Sequence, residues 1–279
     1  MEKILLVIDA VNLNTTSLDF ACYLGRLTGS KVTGVFLENL VADERPVLIP
    51  AYGAPVVEWQ VDETSPQFVE KRELINKNIS LFKQACENRS VNYSIHRDRG
   101  EPAREIIVES RYADVIVLDA ATSFNKRFEG TPTAFVRDIL AKTECPVVVA
   151  PENFDGIDHI IFTYNSSKSS AFAIKQFTYI FPELHDKTVT LLTVNEKGEW
   201  EDRDKYNLKE WLQNRYSSIN FTALKGDTDD CLLDYLLKKK NIFIVMGAYG
   251  RTPISHFFRR SHADRLLKTI TQPIFISHF

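Results

Sequence analysis

The residues best suited to chemistry lie in the segment 242–261, IFIVMGAYGRTPISHFFRRS. An apolar run typical of a β-strand ends in two glycines, Gly247 and Gly250, and a helical pattern resumes at Ser261. A strand that leads through a glycine turn into a helix offers backbone N–H groups to a phosphate, because glycine permits close approach and a helix N-terminus attracts anions. The same Gly-x-x-Gly spacing is also typical of an ordinary tight turn. The segment alone leaves both interpretations open.

Composition indicates a soluble globular protein of about two domains. The 279 residues are 44% hydrophobic and 25% charged, and the length suits two domains of roughly 100–200 residues each. A net charge of -3 gives no overall field for nucleic acid or an anionic membrane, so we expect neither as a partner. The N-terminal apolar run ends at Asp9, which is too early for a secretory signal, and no other stretch approaches a membrane span. We therefore expect a cytoplasmic protein.

The cysteines, histidines and acidic residues show no pattern typical of a metal site or a catalytic centre. The four cysteines are far apart in the sequence, which indicates reduced thiols that mostly pack in the interior, and the six histidines lack zinc-ligand spacing. Asp227, Asp229 and Asp230 are typical of a helix start, where acidic groups complement the helix dipole. Because the sequence also lacks a Gly-x-Ser-x-Gly elbow, paired catalytic carboxylates and a P-loop lysine, we expect no metal and no dedicated catalysis.

Apolar runs of strand length alternate with helical patterns along the chain, as in α/β proteins. Asp9 and Asn165 each end the first strand of a half, and the later elements follow in the same order, which indicates a duplication. We predict an α/β fold of two tandem five-stranded parallel-sheet domains of the doubly wound type, with limits at 1–151 and 157–279. The predicted strands are 3–8, 32–37, 91–96, 115–118 and 146–150, then 160–163, 189–194, 221–224, 242–246 and 273–277.

Residues 38–62 interrupt this alternation of strands and helices. Several prolines are mixed with aromatic and aliphatic side chains there, as in the segment LIPAYGAPVVEW. The stretch is too apolar for a disordered linker, so we expect a loop or hairpin packed over a site or a neighbouring subunit. An insertion that covers the edge of the sheet fits the same residues equally well.

The residues that close the strands are candidate site residues, because open parallel sheets bind ligands beyond the carboxyl ends of their strands. They include Asp9 and Leu37 in the first half and Asn165, Val194 and Gly247 in the second. A carboxylate or amide at the end of the first strand could bond a ribose or a base edge, and it could equally cap the following helix. The residue types leave both roles open.

The β/α order, the first strand ending in VIDA and the segment AYGRTPISHFFRRSHADRLLKTITQPIFI together resemble the universal stress protein family in its tandem two-domain form. Nucleotide-binding members of that family hold the phosphates and ribose of ATP with Gly-x-x-Gly, nine further residues and Gly-Ser/Thr. Here Gly247 and Gly250 are followed after nine residues by Arg260 and Ser261. Arg260 stands where the third glycine would be, and its guanidinium could pair with a phosphate. The resemblance covers nearly the whole chain outside 38–62.

The resemblance also implies positions for the base. The family's adenine-side aspartate corresponds to Asp9 in the first half and to Asn165 in the second, and its apolar contact corresponds to Leu37 and Val194. The first half has no Gly-x-x-Gly, and Asp119 stands where phosphates would lie and would repel them.

The resemblance therefore implies an adenine nucleotide, ATP or a relative of it, bound chiefly in the second half, on a HUP-like fold. In the first half, Asp9, which ends the first strand, is the residue that the resemblance implies would contact a nucleotide. The implied nucleotide-binding residues are Asn165, Val194, Gly247, Gly250, Arg260, Ser261 and Asp9.

Three functional classes follow from these patterns. The first is a regulatory protein of the stress response that binds a nucleotide without dedicated catalysis and that could form a homodimer or bind an unidentified protein. The second is a non-binding interaction module, whose halves pair through their last strands and whose apolar segment 47–59 docks a partner or a second chain. The third is an enzyme that transfers adenylyl groups or slowly hydrolyses ATP.

Overall fold

The computed structural model describes residues 1–51, 54–125, 127–247 and 260–277. Strands and helices alternate through both halves of the chain, as the sequence predicts. The elements of the first half are β1 (Lys3–Asp9), α1 (Thr15–Thr28), β2 (Lys31–Leu37), a 3-10 turn (Leu40–Asp43), β3 (Arg45–Ala51), β4 (Ala54–Gln60), α2 (Pro66–Asn88), β5 (Tyr93–Asp98), α3 (Pro102–Ser110), β6 (Val115–Leu118), α4 (Ala134–Lys142) and β7 (Val147–Val149). Those of the second half are β8 (His159–Thr163), α5 (Lys168–Ile180), a 3-10 turn (Pro182–Leu184), β9 (Thr188–Asn195), α6 (Asp202–Leu212), β10 (Ile219–Lys225), α7 (Thr228–Leu237), β11 (Ile242–Gly247), α8 (Arg260–Thr269) and β12 (Ile274–Ser277).

Ten strands form one sheet in the order β10-β9-β8-β11-β12-β7-β6-β1-β2-β5. Within each half the strands are parallel, and the strand order is the same in both halves. The halves join where β7 and β12 pair antiparallel, with Val148 opposite Phe275. This confirms the predicted α/β class of two five-stranded parallel units, and the last strands pair as the interaction-module hypothesis predicts. The pairing also satisfies backbone groups that two free sheet edges would expose.

Strand burial explains why the strands could be recognised in the sequence. The central residues of β1 and all residues of β11 are buried, because helices cover both faces of a parallel sheet. The hydrophobic core on each face runs through both halves of the chain. Across the joint, the Phe243 ring lies 6.3 Å from that of Phe20, measured between ring centroids. Within the second half, the Phe243 ring lies 4.9 Å from that of Phe177. The two halves therefore share their cores.

The insertion 38–62 contains a two-stranded antiparallel hairpin, β3–β4, in which Leu48 lies opposite Val57 and Pro46 opposite Trp59. The expectation of a loop or hairpin is confirmed as a hairpin. Among the strands that the structure describes, β3 and β4 pair only with each other, so the insertion does not extend the edge strand β5.

The pattern of residues 200–216 predicts one helix, whereas α6 covers only Asp202–Leu212, with Glu201 at its N-cap. The last helix starts at Arg260, one residue before the predicted start. In the described part of the chain, no helix combines the length and apolar character needed to cross a membrane.

Candidate functional site

The carboxyl ends of β8, β9 and β11 meet at one edge of the second-half sheet. In the register of these strands, Phe162 lies opposite Val245 and Thr163 opposite Leu192. The strand order changes direction between β8 and β11, which is where doubly wound sheets bind ligands. A cavity of about 810 Å³ lies beside the ends of β8 and β9 and is lined by Tyr164, Asn165, Ser166, Thr193, Val194, Asn195, Glu196, Lys197, Glu199, Trp200, Glu201, Asp202, Arg203, Asp204 and Thr228.

Two of the sequence-predicted residues, Asn165 and Val194, line this cavity together. Asn165 Oδ1 also accepts a hydrogen bond from the backbone N–H of Ser167 at 3.2 Å, and Ser167 is the N-cap of α5. The amide therefore supports the helix start, the structural role that the sequence left open, from a position on the cavity wall. Val194 is largely buried, and its side chain forms an apolar part of the cavity wall.

Gly247 is the last residue of β11, opposite Ser277. A Cβ atom at this position would lie 2.6 Å from the carbonyl carbon of Ser169 and 2.6 Å from the backbone nitrogen of Ser170. Both atoms belong to the first turn of α5, whose backbone cannot yield without moving the helix. Close packing of strand and helix is therefore sufficient to require a glycine at this position.

The rest of the predicted phosphate loop is only partly described. Gly250 lies outside the described residues. Arg260 and Ser261 are the first two residues of α8, and their side chains are also outside the description. The helix start lies within one residue of the position that the sequence predicts for it.

The wall of the cavity contains an aromatic pair that the sequence did not predict. Tyr164 and Trp200 stack with ring centroids 5.6 Å apart and an angle of 15° between the ring planes. Trp200 Nε1 donates to the carbonyl oxygen of Thr222 at 3.0 Å, which fixes the indole in place. The sequence pattern places Trp200 in a helix, whereas in the structure Trp200 precedes α6. The acidic residues Asp202 and Asp204 in the first turn of that helix were the available signal for the later start.

The loop that presents Trp200 is organised by Asn195. Its Oδ1 accepts from the backbone N–H groups of Lys197 at 3.1 Å, Gly198 at 2.8 Å and Glu199 at 3.3 Å, and its Nδ2 donates to the Glu199 carbonyl at 2.8 Å. Gly198 has a φ of 71°, in the left-handed region that favours glycine. One side chain thus closes the loop and orders this wall of the cavity.

A carboxylate from α6 reaches the strand end. The Ser166 hydroxyl donates to Asp204 Oδ2 at 2.5 Å. Burial, followed by the negative charge of Asp204, raises the pKa of the nearby Tyr164 phenol to about 12. The phenol is therefore protonated at neutral pH.

The described cavity lining is acidic overall. Five carboxylates outnumber two basic groups there, so the described lining repels a phosphate. The acidic residues are Glu196, Glu199, Glu201, Asp202 and Asp204, and the basic ones are Lys197 and Arg203.

A cavity of about 260 Å³ in the first half lies at the ends of β1 and β6 and holds Asp9, Asn14 and Asp119. Asp9 Oδ1 accepts from the backbone N–H of Val11 at 3.0 Å, and Asn14 Nδ2 donates to Asp119 Oδ2 at 2.7 Å. Burial raises the pKa of the Asp9 carboxyl, and its backbone hydrogen bonds and the charge of Lys71 oppose that shift. Two carboxylates thus face a narrow cavity whose polar groups bond to one another.

The remaining sequence predictions concern capping and cysteines. Asp227 is the N-cap of α7 and accepts from the backbone N–H groups of Asp229 and Asp230, which confirms the helix-start interpretation. All four cysteines are free, and Cys22 and Cys86 lie with their sulfur atoms 3.8 Å apart in the core, although they are distant in the sequence. Within the described ranges no group of His, Cys, Asp or Glu is arranged to hold a metal ion.

Comparison with known proteins identifies the fold. No protein-family model and no curated protein matches the sequence. A universal stress protein from Archaeoglobus fulgidus is similar in structure over 99% of this chain and 98% of its own, with a TM-score of 0.71 and 17% identity. A Pseudomonas aeruginosa UCBPP-PA14 protein assigned to the universal stress proteins covers 100% and 93%, with a TM-score of 0.62 and 13% identity. A functionally unknown protein from Pseudomonas aeruginosa PAO1 covers 100% and 92%, with a TM-score of 0.61 and 13% identity.

The strand order defines a doubly wound α/β protein. More specifically, the chain shares its fold over 99% of its length with a universal stress protein. The resemblance stated from the sequence is confirmed at the level of fold.

The packing of Gly247 against α5 gives a test of its structural role. Replacing Gly247 with Ala is expected to lower the free energy of unfolding by about 1–3 kcal/mol, because the methyl group would overlap the backbone of the helix. Denaturant unfolding measures the change. Gly130→Ala is the matched control, since no atom lies within 4 Å of its Cβ position, and it should change stability by less than about 0.5 kcal/mol. Equal stability of Gly247→Ala and wild type would contradict the close packing.

The raised pKa of Asp9 predicts a pH-dependent effect of Asp9→Asn. The folded state holds the carboxyl proton more tightly than the unfolded state, so ionisation costs stability once the pH exceeds the raised folded value. At pH 7 the amide should therefore make the protein more stable than wild type. The gain should shrink as the pH falls towards the ordinary aspartate pKa of about 4, where the wild-type carboxyl becomes protonated. Denaturant unfolding between pH 4 and pH 7 measures the difference in the free energy of unfolding between Asp9→Asn and wild type. A variant less stable than wild type at pH 7 would contradict the prediction.

Proposed function

We propose that this chain binds an adenine nucleotide, ATP, in the second-half cavity and acts as a cytoplasmic regulatory protein of the stress response without dedicated catalysis. The observation that carries the proposal is the cavity of about 810 Å³ at the carboxyl ends of β8 and β9, where Asn165 and Val194 lie together. Small-molecule and cofactor sites typically occupy about 300–1,000 Å³ in a few concave places of this kind.

The character of the cavity wall supports a ligand with a planar ring and several hydroxyl groups. Val194 and the stacked pair of Tyr164 and Trp200 offer an apolar and aromatic surface. The amide of Asn165 and the carboxylate of Asp204 offer hydrogen-bonding groups beside it. This combination suits a nucleoside, because the base needs apolar contact and the ribose needs polar partners.

The phosphates of ATP would point away from the acidic described lining and towards the segment that contains Gly247 and Gly250. That segment includes the basic residues Arg251, Arg259 and Arg260 in its sequence. The first-half cavity, at about 260 Å³ and with two carboxylates, is a poor site for a triphosphate by size and by charge. Each chain is therefore expected to bind one nucleotide.

Isothermal titration tests the nucleotide proposal. We expect wild type to bind one ATP per chain and Gly250→Val to lose most of the binding heat, because a branched side chain would block approach of the phosphates to the loop backbone. Asp9→Asn is the matched control in the first half and should bind as wild type does. No binding by wild type, two sites per chain, or unchanged binding by Gly250→Val would contradict the proposal. Turnover of ATP in the same samples would favour the enzyme class instead.

The β3–β4 hairpin favours a second candidate function, a protein-interaction surface. One face of the hairpin carries Leu48 opposite Val57 and Pro46 opposite Trp59. Leu48 is 68% exposed and Trp59 is 61% exposed, which is unusual for large apolar side chains on neighbouring positions. Apolar patches of this kind typically contact another protein, so a second copy of the chain or another protein would bury this face.

Charge substitutions on the two faces of the hairpin test this function. Leu48→Glu combined with Trp59→Glu should convert a dimer to a monomer, because two carboxylates would be buried without partners. Light scattering after size-exclusion chromatography measures the mass. Val47→Glu combined with Val56→Glu, on the opposite face, is the control and should leave the dimer intact. A monomeric wild type, or a dimer that survives both double substitutions, would contradict a role of this face in self-association.

A further inference from the structure

The two halves carry a carboxylate at different positions of the chain near the strand ends. The first strand of the first half ends in Asp9, and the corresponding position of the second half is Asn165, which has no negative charge. Asp204, the third residue of α6, lines the same cavity as Asn165. A carboxylate is therefore present at the second-half site, but it comes from the helix after β9 rather than from the end of the first strand.

The position of Asp204 is fixed by a donor on the chain after β8. The Ser166 hydroxyl donates to its Oδ2 at 2.5 Å. Ser166 reaches it from a left-handed backbone conformation with a φ of 59°. Because a carboxylate has about four acceptor positions, this bond leaves capacity for a donor from a ligand.

A ribose is the ligand part that such a carboxylate recognises. In doubly wound folds, an acidic side chain at the nucleotide site commonly accepts a hydrogen bond from the ribose 2′-hydroxyl. Asp204 shares its cavity with the aromatic wall formed by Tyr164 and Trp200, which suits the base. A nucleoside seated with its base on that wall would bring ribose hydroxyls towards this carboxylate.

We propose that Asp204 is a specificity-determining residue that accepts the ribose 2′-hydroxyl and makes the second-half cavity select ribonucleosides over 2′-deoxyribonucleosides. The inference rests on the proposed nucleotide binding and adds to it the residue and the sugar that are recognised. Removing the 2′-hydroxyl would leave the carboxylate without that donor inside the cavity, so discrimination follows from the lost charge-assisted hydrogen bond.

The test compares adenosine with 2′-deoxyadenosine by isothermal titration of the full chain. These probes carry no phosphate, so phosphate contacts do not enter the comparison. Wild type should bind adenosine at least about tenfold more tightly, as expected for a hydrogen bond to a charged group. Asp204→Asn should lose most of this preference, and Asp204→Glu should also weaken it, because the carboxylate moves by one methylene. Asp202→Asn, at a neighbouring acid that lines the same cavity, is the matched control and should keep the preference.

The outcomes separate the two proposals. Binding of both nucleosides with equal affinity, or a preference that persists in Asp204→Asn, would overturn the role of Asp204 while leaving nucleotide binding intact. Absence of binding of either nucleoside and of ATP by wild type would overturn both. Thermal unfolding of each variant shows that it is folded, and Asp204→Glu keeps the test decisive if the amide variant is unstable.

Discussion

The antiparallel pairing of β7 with β12 is the interaction on which the architecture depends. It joins two parallel five-stranded units into one sheet, and the aromatic contact of Phe243 with Phe20 extends the shared core across the joint. Because the pairing is antiparallel, the strands of the two halves run in opposite directions. Their carboxyl ends, and therefore their two cavities, open at opposite edges of the sheet. Each cavity is built only from its own half and can change without the other.

The two cavities have diverged accordingly. In the first half, Asp9, Asn14 and Asp119 bond to one another or to the local backbone around a small space. In the second half, the ordered loop that follows β9 and the first turn of α6 form a larger space with an aromatic wall. The segment after the second strand also differs between the halves. It forms a hairpin in the first half, and in the second half it is a short closed loop that lines the cavity.

The sequence predicts the features that depend on local pattern. Continuous apolar runs identify β1 and β11 because both faces of a parallel strand are buried, and the prolines and apolar residues of 38–62 indicate an inserted structured segment. The strand-end position of Asn165 and Val194 follows from the order of the elements. What the sequence does not predict depends on contacts between distant segments. The backbone of Ser169 beside Gly247, the stacking of Trp200 on Tyr164, and the reach of Asp204 to Ser166 all exist only once the elements have packed.

A crystal structure of the chain grown with ATP tests the central claim most directly. The account predicts nucleotide density in the second-half cavity, with the base between Val194 and Trp200, the ribose beside Asp204 and the phosphates directed towards the 247–261 segment. The first-half cavity around Asp9 and Asp119 should hold no nucleotide. Density for the nucleotide in the first half, or an empty second-half cavity at saturating ATP, would contradict it.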